Sequence, residues 1–232
     1  MGAPELLRDR LAQIEEEHAT LRSELAAFQS DYLRQVGVVD MQVQELEAKI
    51  LAIVAARSGA VEDAAAADAA QQRFRETTTA MSAIPAPAGP PPSDDLKSLF
   101  RDAAKRMHPD LVGDDAGRAH AEAFMKRLNE AYKAGDAEAI GNLVRQWETS
   151  PYASARPVAG AAAPALQAAV AQAEQRLGEA RDSDLARLME QAFAASMAGR
   201  DLLGELRQDA EAALGRARAR LAELDAPPGN DV

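Results

Sequence analysis

The fold class is indicated most clearly by residues 4–36, PELLRDRLAQIEEEHATLRSELAAFQSDYLRQV. Apolar or aromatic side chains recur in it at steps of four and three, a spacing that places them on one face of a helix and is typical of a coiled coil. The positions of this stripe are Leu7, Leu11, Ile14, His18, Leu21, Leu25, Phe28, Tyr32 and Val36. The two steps of four that end at Val36 form a stutter, which locally unwinds a coil without ending it. We interpret His18 as a polar residue that sets the register of the coil, with a pH-sensitive switch as the alternative.

The same pattern continues through Val39, Val43, Leu46, Ile50 and Ile53 and predicts an N-terminal coiled-coil helix over residues 4–79, weakened at Ser58-Gly59. A second stripe of smaller side chains predicts a long C-terminal helix over residues 165–225. Internal glycines weaken that helix, so it needs a partner helix. We expect either an intramolecular antiparallel coiled-coil hairpin or two separate coils that produce a homo-oligomer.

The composition supports an all-α fold and excludes several kinds of site. Of the 232 residues, 47% are hydrophobic but only 4% are aromatic, which argues against a large core built on a sheet. The absence of cysteine excludes disulfides, zinc–thiolate sites and thiol nucleophiles. The net charge of −11 disfavours broad binding to a phosphate backbone.

Proline-rich and small-residue segments separate the predicted helices. Residues 80–92 contain IPAPAGPPP and predict an extended linker, because proline cannot continue a helix. Residues 151–164 predict a second linker, and residues 226–232 a disordered tail.

A small helical unit is predicted between the linkers, over residues 93–150. Ser93 is suited to cap a first helix that Pro109 ends, a second helix is expected over residues 118–133, and Asp136 is suited to cap a third. Each helix has an apolar face, and together the faces comprise Leu96, Leu99, Phe100, Ala103, Met107, Ala121, Met125, Leu128, Tyr132, Ile140, Leu143, Val144 and Trp147.

The first helix of this unit ends in an exposed His108-Pro109-Asp110 turn and carries basic side chains on its outer face. These basic side chains form a cationic stripe of Lys97, Arg101, Lys105 and Arg106, and between Leu96 and Met107 only Asp102 opposes them. A fixed turn beside positive charge is suited to an acidic protein partner, because complementary charge speeds and orients encounter.

The stretch LKSLFRDAAKRMHPD, followed by a helix that ends in Leu128-Asn129-Glu130-Ala131-Tyr132, resembles the J-domain of DnaJ-type co-chaperones. The resemblance covers about 40 residues, from Asp94 to Lys133. It implies that the turn engages a DnaK-type ATPase and stimulates ATP hydrolysis, with the cationic stripe as the electrostatic contact. It also implies residues that hold the two helices together: Phe100, Met107, Met125, Leu128 and Tyr132.

The chain departs from the J-domain family in several ways. A proline-rich linker stands where the family has a first helix with a Tyr-x-x-Leu pattern, and Asp102 stands where a second basic residue is usual. We expect the third helix, with Trp147, to supply the apolar face of that absent helix. There is no Gly/Phe-rich region and no cysteine repeat, so the chain resembles a divergent, coiled-coil-flanked bacterial J-domain-like protein.

These observations predict a cytoplasmic co-chaperone or adaptor that recruits a DnaK-type ATPase, with coiled coils that select a client protein or cause self-association. The alternative is a structural coiled-coil scaffold whose J-like unit does not stimulate. No targeting segment or membrane span is expected. His120 and the carboxylates Glu15, Glu16 and Glu17 are expected to face solvent. We expect no catalysis by the chain itself, no cofactor and no metal, because no phosphate-binding loop, nucleophile motif or metal-ligand spacing occurs.

Overall fold

The computed structural model describes residues 2–82, 91–153 and 162–226, and all regular secondary structure in these ranges is helical. This confirms the prediction of an all-α protein for the described residues. The α-helices are α1 (Ala3–Tyr32), α2 (Val38–Ser58), α3 (Val61–Ser82), α4 (Asp94–Met107), α5 (Asp115–Lys133), α6 (Ala137–Glu148), α7 (Ala162–Arg181), α8 (Asp184–Met197) and α9 (Leu202–Asp225). Within the described ranges, no helix is both long and apolar enough to cross a membrane.

The chain divides into two compact units. The first unit comprises the described residues of Met1–Ala27 and Ala88–Leu188, and the second comprises those of Phe28–Pro87 and Met189–Val232. Most of α1 therefore belongs to the first unit, together with α4 to α7. The second unit contains α2, α3 and α9, in which both α3 and α9 pack against α2.

The single helix predicted over residues 4–79 is divided in the structure. A π-helical turn, Leu33–Gly37, lies next to the predicted stutter and joins α1 to α2 without ending the helix. The chain then reverses at Gly59, whose φ of +68° is a left-handed conformation that costs glycine little. After this reversal α3 packs along α2. Residues 61–79, expected to continue the N-terminal helix, therefore belong to a separate helix beside it.

The single helix predicted over residues 165–225 is also divided. Ser183 begins α8 by accepting a hydrogen bond from the Ala186 amide at 3.2 Å, and Asp201 begins α9 by accepting one from Gly204 at 3.0 Å. Gly199, with a φ of +73°, lies between these two helices. The Ser183 and Asp201 side chains each start a new helix, so the C-terminal apolar stripe is distributed over three helices rather than one.

Within the first unit, α1 and α7 pack through the two apolar stripes that the sequence indicated. Leu11 and Ile14 of α1 are buried in one cluster with Leu166, Ala173 and Leu177 of α7. Three ion pairs flank this cluster: Arg10–Glu174, Glu15–Arg176 and Glu17–Arg181. Because residue numbers rise together along both helices, α1 and α7 run parallel, unlike the antiparallel hairpin that was one of the two expected arrangements.

The central helical unit, residues 93–150, matches its predicted three-helix plan. Ser93 and Asp136 cap α4 and α6, accepting hydrogen bonds from Leu96 and Ala139. The second helix begins at Asp115 rather than at residue 118, because Asp114 caps it by accepting from Gly117. Buried apolar side chains from all three helices form one cluster, which includes Leu96, Phe100, Ala103, Met107, Ala121, Phe124, Met125, Leu128, Tyr132, Ile140, Leu143 and Trp147.

Two residues of this unit differ from the sequence interpretation. Leu99, expected on the apolar face of α4, is 40% exposed. His120, expected at the surface, is half-buried among the rings of Phe124, Trp147 and Tyr152, with centroid distances of 4.9, 5.8 and 5.1 Å. His120 lies on the side of α5 that faces α6, and this packing buries it. Periodicity within α5 alone does not reveal that contact.

The predicted linkers and tail lie mainly outside the described residues, at 83–90, 154–161 and 227–232. At the start of the first predicted linker, residues 80–82 belong to α3. Residues 151–153 form a turn after α6.

The apolar face of α6 provides a test of the central core. Replacing Trp147 with alanine should lower the free energy of unfolding by about 3–5 kcal/mol, because a large buried ring would leave a cavity between α5 and α6. Leu99→Ala is the matched control and should lower it by only about 1 kcal/mol, since Leu99 is 40% exposed and lies outside the buried cluster. Both values follow from urea denaturation monitored by circular dichroism. Equal effects of the two changes would contradict the described packing.

Candidate functional site

The His108-Pro109-Asp110 turn connects α4 to α5. Pro109 opens a short 3₁₀ turn, Pro109–Leu111, and the His108 Nδ1 accepts a hydrogen bond from the Asp110 amide at 3.2 Å. The imidazole and the start of the turn thus hold one another in place. Pro109 is partly buried and Asp110 is exposed.

His108 is buried, in contrast to the exposed turn that the sequence predicted. Only 6% of the residue is exposed, and its Nε2 lies 3.6 Å from the Oε1 of Glu15 in α1. This difference has a tertiary cause, because Glu15, which precedes His108 by 93 positions in the chain, packs against the turn.

Glu15 joins three elements of the first unit. Besides its contact with His108, its Oε1 accepts a hydrogen bond from Arg176 of α7 at 2.6 Å. Burial alone would raise the pKa of Glu15, but the His108 imidazole and the Arg176 guanidinium outweigh it and hold the pKa below its ordinary value of 4.5. Glu15 is therefore a carboxylate held in its ionised form by two neighbouring elements.

The cationic stripe also differs from the solvent-facing arrangement expected. Arg101 pairs with Glu16 of α1 at 3.6 Å, and Lys105 pairs with Asp9 of α1 at 2.8 Å. Arg106 pairs with Glu148 of α6, whereas Lys97 lies 3.8 Å from Asp94 of its own helix. All four predicted contact residues therefore have acidic neighbours within the first unit.

The carboxylates Glu15 and Glu16, expected to face solvent, are 9% and 6% exposed. Glu16 also accepts a hydrogen bond from Thr20 at 2.9 Å, and the Thr20 hydroxyl is 2.6 Å from the Tyr132 hydroxyl of α5. Sequence reasoning missed this acidic face of α1, which comprises Asp9, Glu15 and Glu16. The one signal available was the triplet Glu15-Glu16-Glu17 beside an apolar stripe, in a chain with a strongly basic helix elsewhere.

A cleft of ≈ 790 Å³ opens beside the turn. It lies between α1, α5 and α7, and both charges are present on its walls. The residues of the turn are among those that line it, together with His18, Arg22, Glu122, Lys126, Lys133 and Arg176. Burial lowers the pKa of His18, and the opposing charge of Glu15 only partly offsets this effect.

Within the described residues, no group of three or more histidine, aspartate or glutamate side chains is arranged to hold a metal ion. The arrangement is suited to recognise charge, because a fixed turn and a basic helix face an acidic helix of complementary charge.

A scan against protein-family models finds no match to this chain, and searches of curated proteins and solved structures likewise return none.

Glu15 makes the first unit sensitive to acid. Its pKa is lower in the folded chain than in the unfolded chain, so the unfolded chain takes up the proton first as the pH falls. The stabilisation by Glu15 is complete above about pH 4.5 and decreases as the pH falls through the folded pKa. Glu15→Gln should therefore reduce the loss of stability between pH 6 and pH 3, measured by urea denaturation at each pH.

The matched control is Glu5→Gln, because Glu5 is exposed in the first turn of α1. It should retain the pH dependence of the wild type. A Glu15→Gln variant whose stability falls as steeply as that of the wild type would contradict the ionised, paired state of Glu15.

Proposed function

We propose that residues 93–150 are a J-domain-like unit that binds a DnaK-type chaperone and stimulates its ATPase, so that the chain acts as a co-chaperone or adaptor. The observation that carries this proposal is the His-Pro-Asp turn at the end of a basic helix. The turn is held by its own His108–Asp110 hydrogen bond and is followed by a second helix that packs on the first.

The core of the unit supports the same proposal. Phe100 and Met107 of α4 and Leu128 and Tyr132 of α5 are almost completely buried, and the Phe100 and Tyr132 rings lie 4.7 Å apart. These are the positions that the resemblance assigns to holding the two helices together. A rigid helical pair would present the turn in one orientation, which lowers the entropic cost of binding a partner.

The departures from the J-domain pattern have counterparts in the packing. The first helix of the J-domain pattern, which is absent here, would pack on the core of the unit. In this chain α1 and α6 contribute buried side chains to that core: Ala12, Ile140, Leu143 and Trp147. Under this proposal the helices outside the unit contribute client selection or self-association, in the cytoplasm.

A structural scaffold is the second candidate, and one observation favours it. His108 is buried, while Arg101 and Lys105 pair with carboxylates of α1, so the surface that would bind a partner is engaged within the chain. A unit used only for internal packing would have this arrangement.

The ATPase rate of a DnaK-type chaperone, measured with this protein in large molar excess, distinguishes the two functions. The wild type should raise the steady-state rate, and His108→Gln should abolish the increase, because it replaces the imidazole that holds the turn. The matched control His120→Gln removes an imidazole that packs among aromatic rings away from the turn, and it should retain stimulation.

Circular dichroism of each variant establishes that loss of activity is not loss of folding. Equal ATPase rates for the chaperone alone, with the wild type and with His108→Gln would contradict the proposal and favour the scaffold.

A further inference from the structure

The acidic face of α1 occupies the surface that the proposed function assigns to a partner. Asp9 pairs with Lys105 at 2.8 Å, Glu16 with Arg101 at 3.6 Å, and Glu15 lies 3.6 Å from the His108 imidazole. One helix thus supplies an acidic side chain to two cations of the stripe and to the turn itself. This is the charge pattern expected of an acidic partner.

We infer that α1 is an intramolecular competitor of the partner: its acidic face keeps the docking surface closed, and a DnaK-type ATPase binds by displacing it. The inference rests on the proposed function, because it concerns regulation of the same surface. The structure is the closed form. In the competent form the central unit is unchanged, and Asp9, Glu15 and Glu16 are withdrawn from it.

The two sides of α1 are held by different forces. On the α7 side, Leu11 and Ile14 are fully buried with Leu166 and other aliphatic side chains. Burial of each such side chain contributes about 1.5–3 kcal/mol. Leu111, directly after the turn, is only partly buried at the edge of this cluster. The side of α1 that faces α7 is therefore the more firmly held.

The side that faces the central unit is mostly polar. Its apolar contribution to the core comes from two small residues, Ala12 and Ala19, and only Ala12 is fully buried. The Arg101 and Lys105 side chains are 41% and 38% exposed, so water weakens their ion pairs. Charge pairs, the hydrogen bond between the Thr20 and Tyr132 hydroxyls and two methyl groups hold this side. Because few apolar contacts add to these polar ones, we expect it to separate first, with α1 remaining on α7.

Two groups give an incoming acidic partner a first contact while the surface is closed. Arg106 has a 52% exposed side chain, and its neighbour Glu148 belongs to α6 rather than to α1. Lys97, at the start of the stripe, lies 3.8 Å from the fully exposed Asp94 of its own helix. A partner can therefore bind at these cations first and then replace Asp9 and Glu16 on Lys105 and Arg101.

The double variant Asp9→Asn/Glu16→Gln tests the inference in the full-length chain. It removes two negative charges from the side of α1 that faces α4. The matched control Glu5→Gln/Glu17→Gln removes two charges from the same helix, but Glu5 is exposed and Glu17 pairs with Arg181 of α7. Circular dichroism should show that all three proteins remain helical.

The first readout is the rate at which diethylpyrocarbonate modifies His108, followed by mass spectrometry, with His18 and His120 as internal references. His108 should react several-fold faster in Asp9→Asn/Glu16→Gln than in the wild type or the matched control. The second readout is the concentration of each protein that gives half-maximal stimulation of a DnaK-type ATPase. It should fall several-fold in the double variant alone.

The outcomes separate the inference from the proposed function. Equal half-maximal concentrations and equal His108 reactivity for all three proteins would overturn the inference and leave the proposed function intact. Faster modification of His108 without stimulation by any of the proteins would overturn the proposed function, and with it the competition, while the closed contact itself would stand.

Discussion

The buried carboxylate of Glu15 is the interaction on which the first unit depends. An ionised carboxylate removed from water costs several kcal/mol unless charged or hydrogen-bonding groups replace the water. Arg176 of α7 and His108 of the turn supply those groups. Because both contacts must form together, Glu15 fixes α1 relative to the turn and to α7 at one point. Ile14 packs on α7 directly beside it, and Glu16 faces Arg101 and Tyr132. Three consecutive residues thus serve three different contacts.

Local chemistry explains why much of the central unit could be predicted. The starts of α4 and α6 follow from Ser93 and Asp136, whose side chains satisfy backbone amides within three residues of the chain. The apolar faces follow from helical periodicity, and the end of α4 follows from Pro109. Periodicity also identified the stripes of α1 and α7 that pack on each other. These features depend on residues close in sequence.

The contacts between distant segments could not be predicted in the same way. The same carboxylate triplet would be solvated on an isolated helix, and only the placement of α4 and α7 buries Glu15 and Glu16. Gly59 and Gly199 allow positive φ, but glycine occurs elsewhere in these helices without ending them, as Gly178 and Gly215 do. The parallel direction of α1 and α7 depends on the path of the intervening chain, which no local pattern specifies. The position of the candidate turn therefore follows from the sequence, whereas the burial of His108 does not.

Chemical cross-linking can test the pairing of Asp9 with Lys105, the contact that closes α1 onto α4. A carbodiimide joins a carboxylate and an amine only when they touch, and the two groups are 2.8 Å apart. We expect mass spectrometry of the monomeric fraction to recover an amide between Asp9 and Lys105, alongside the Glu45–Lys49 link within α2, whose groups are 2.6 Å apart. Recovery of the Glu45–Lys49 link without any Asp9–Lys105 link would contradict the closed contact between α1 and α4.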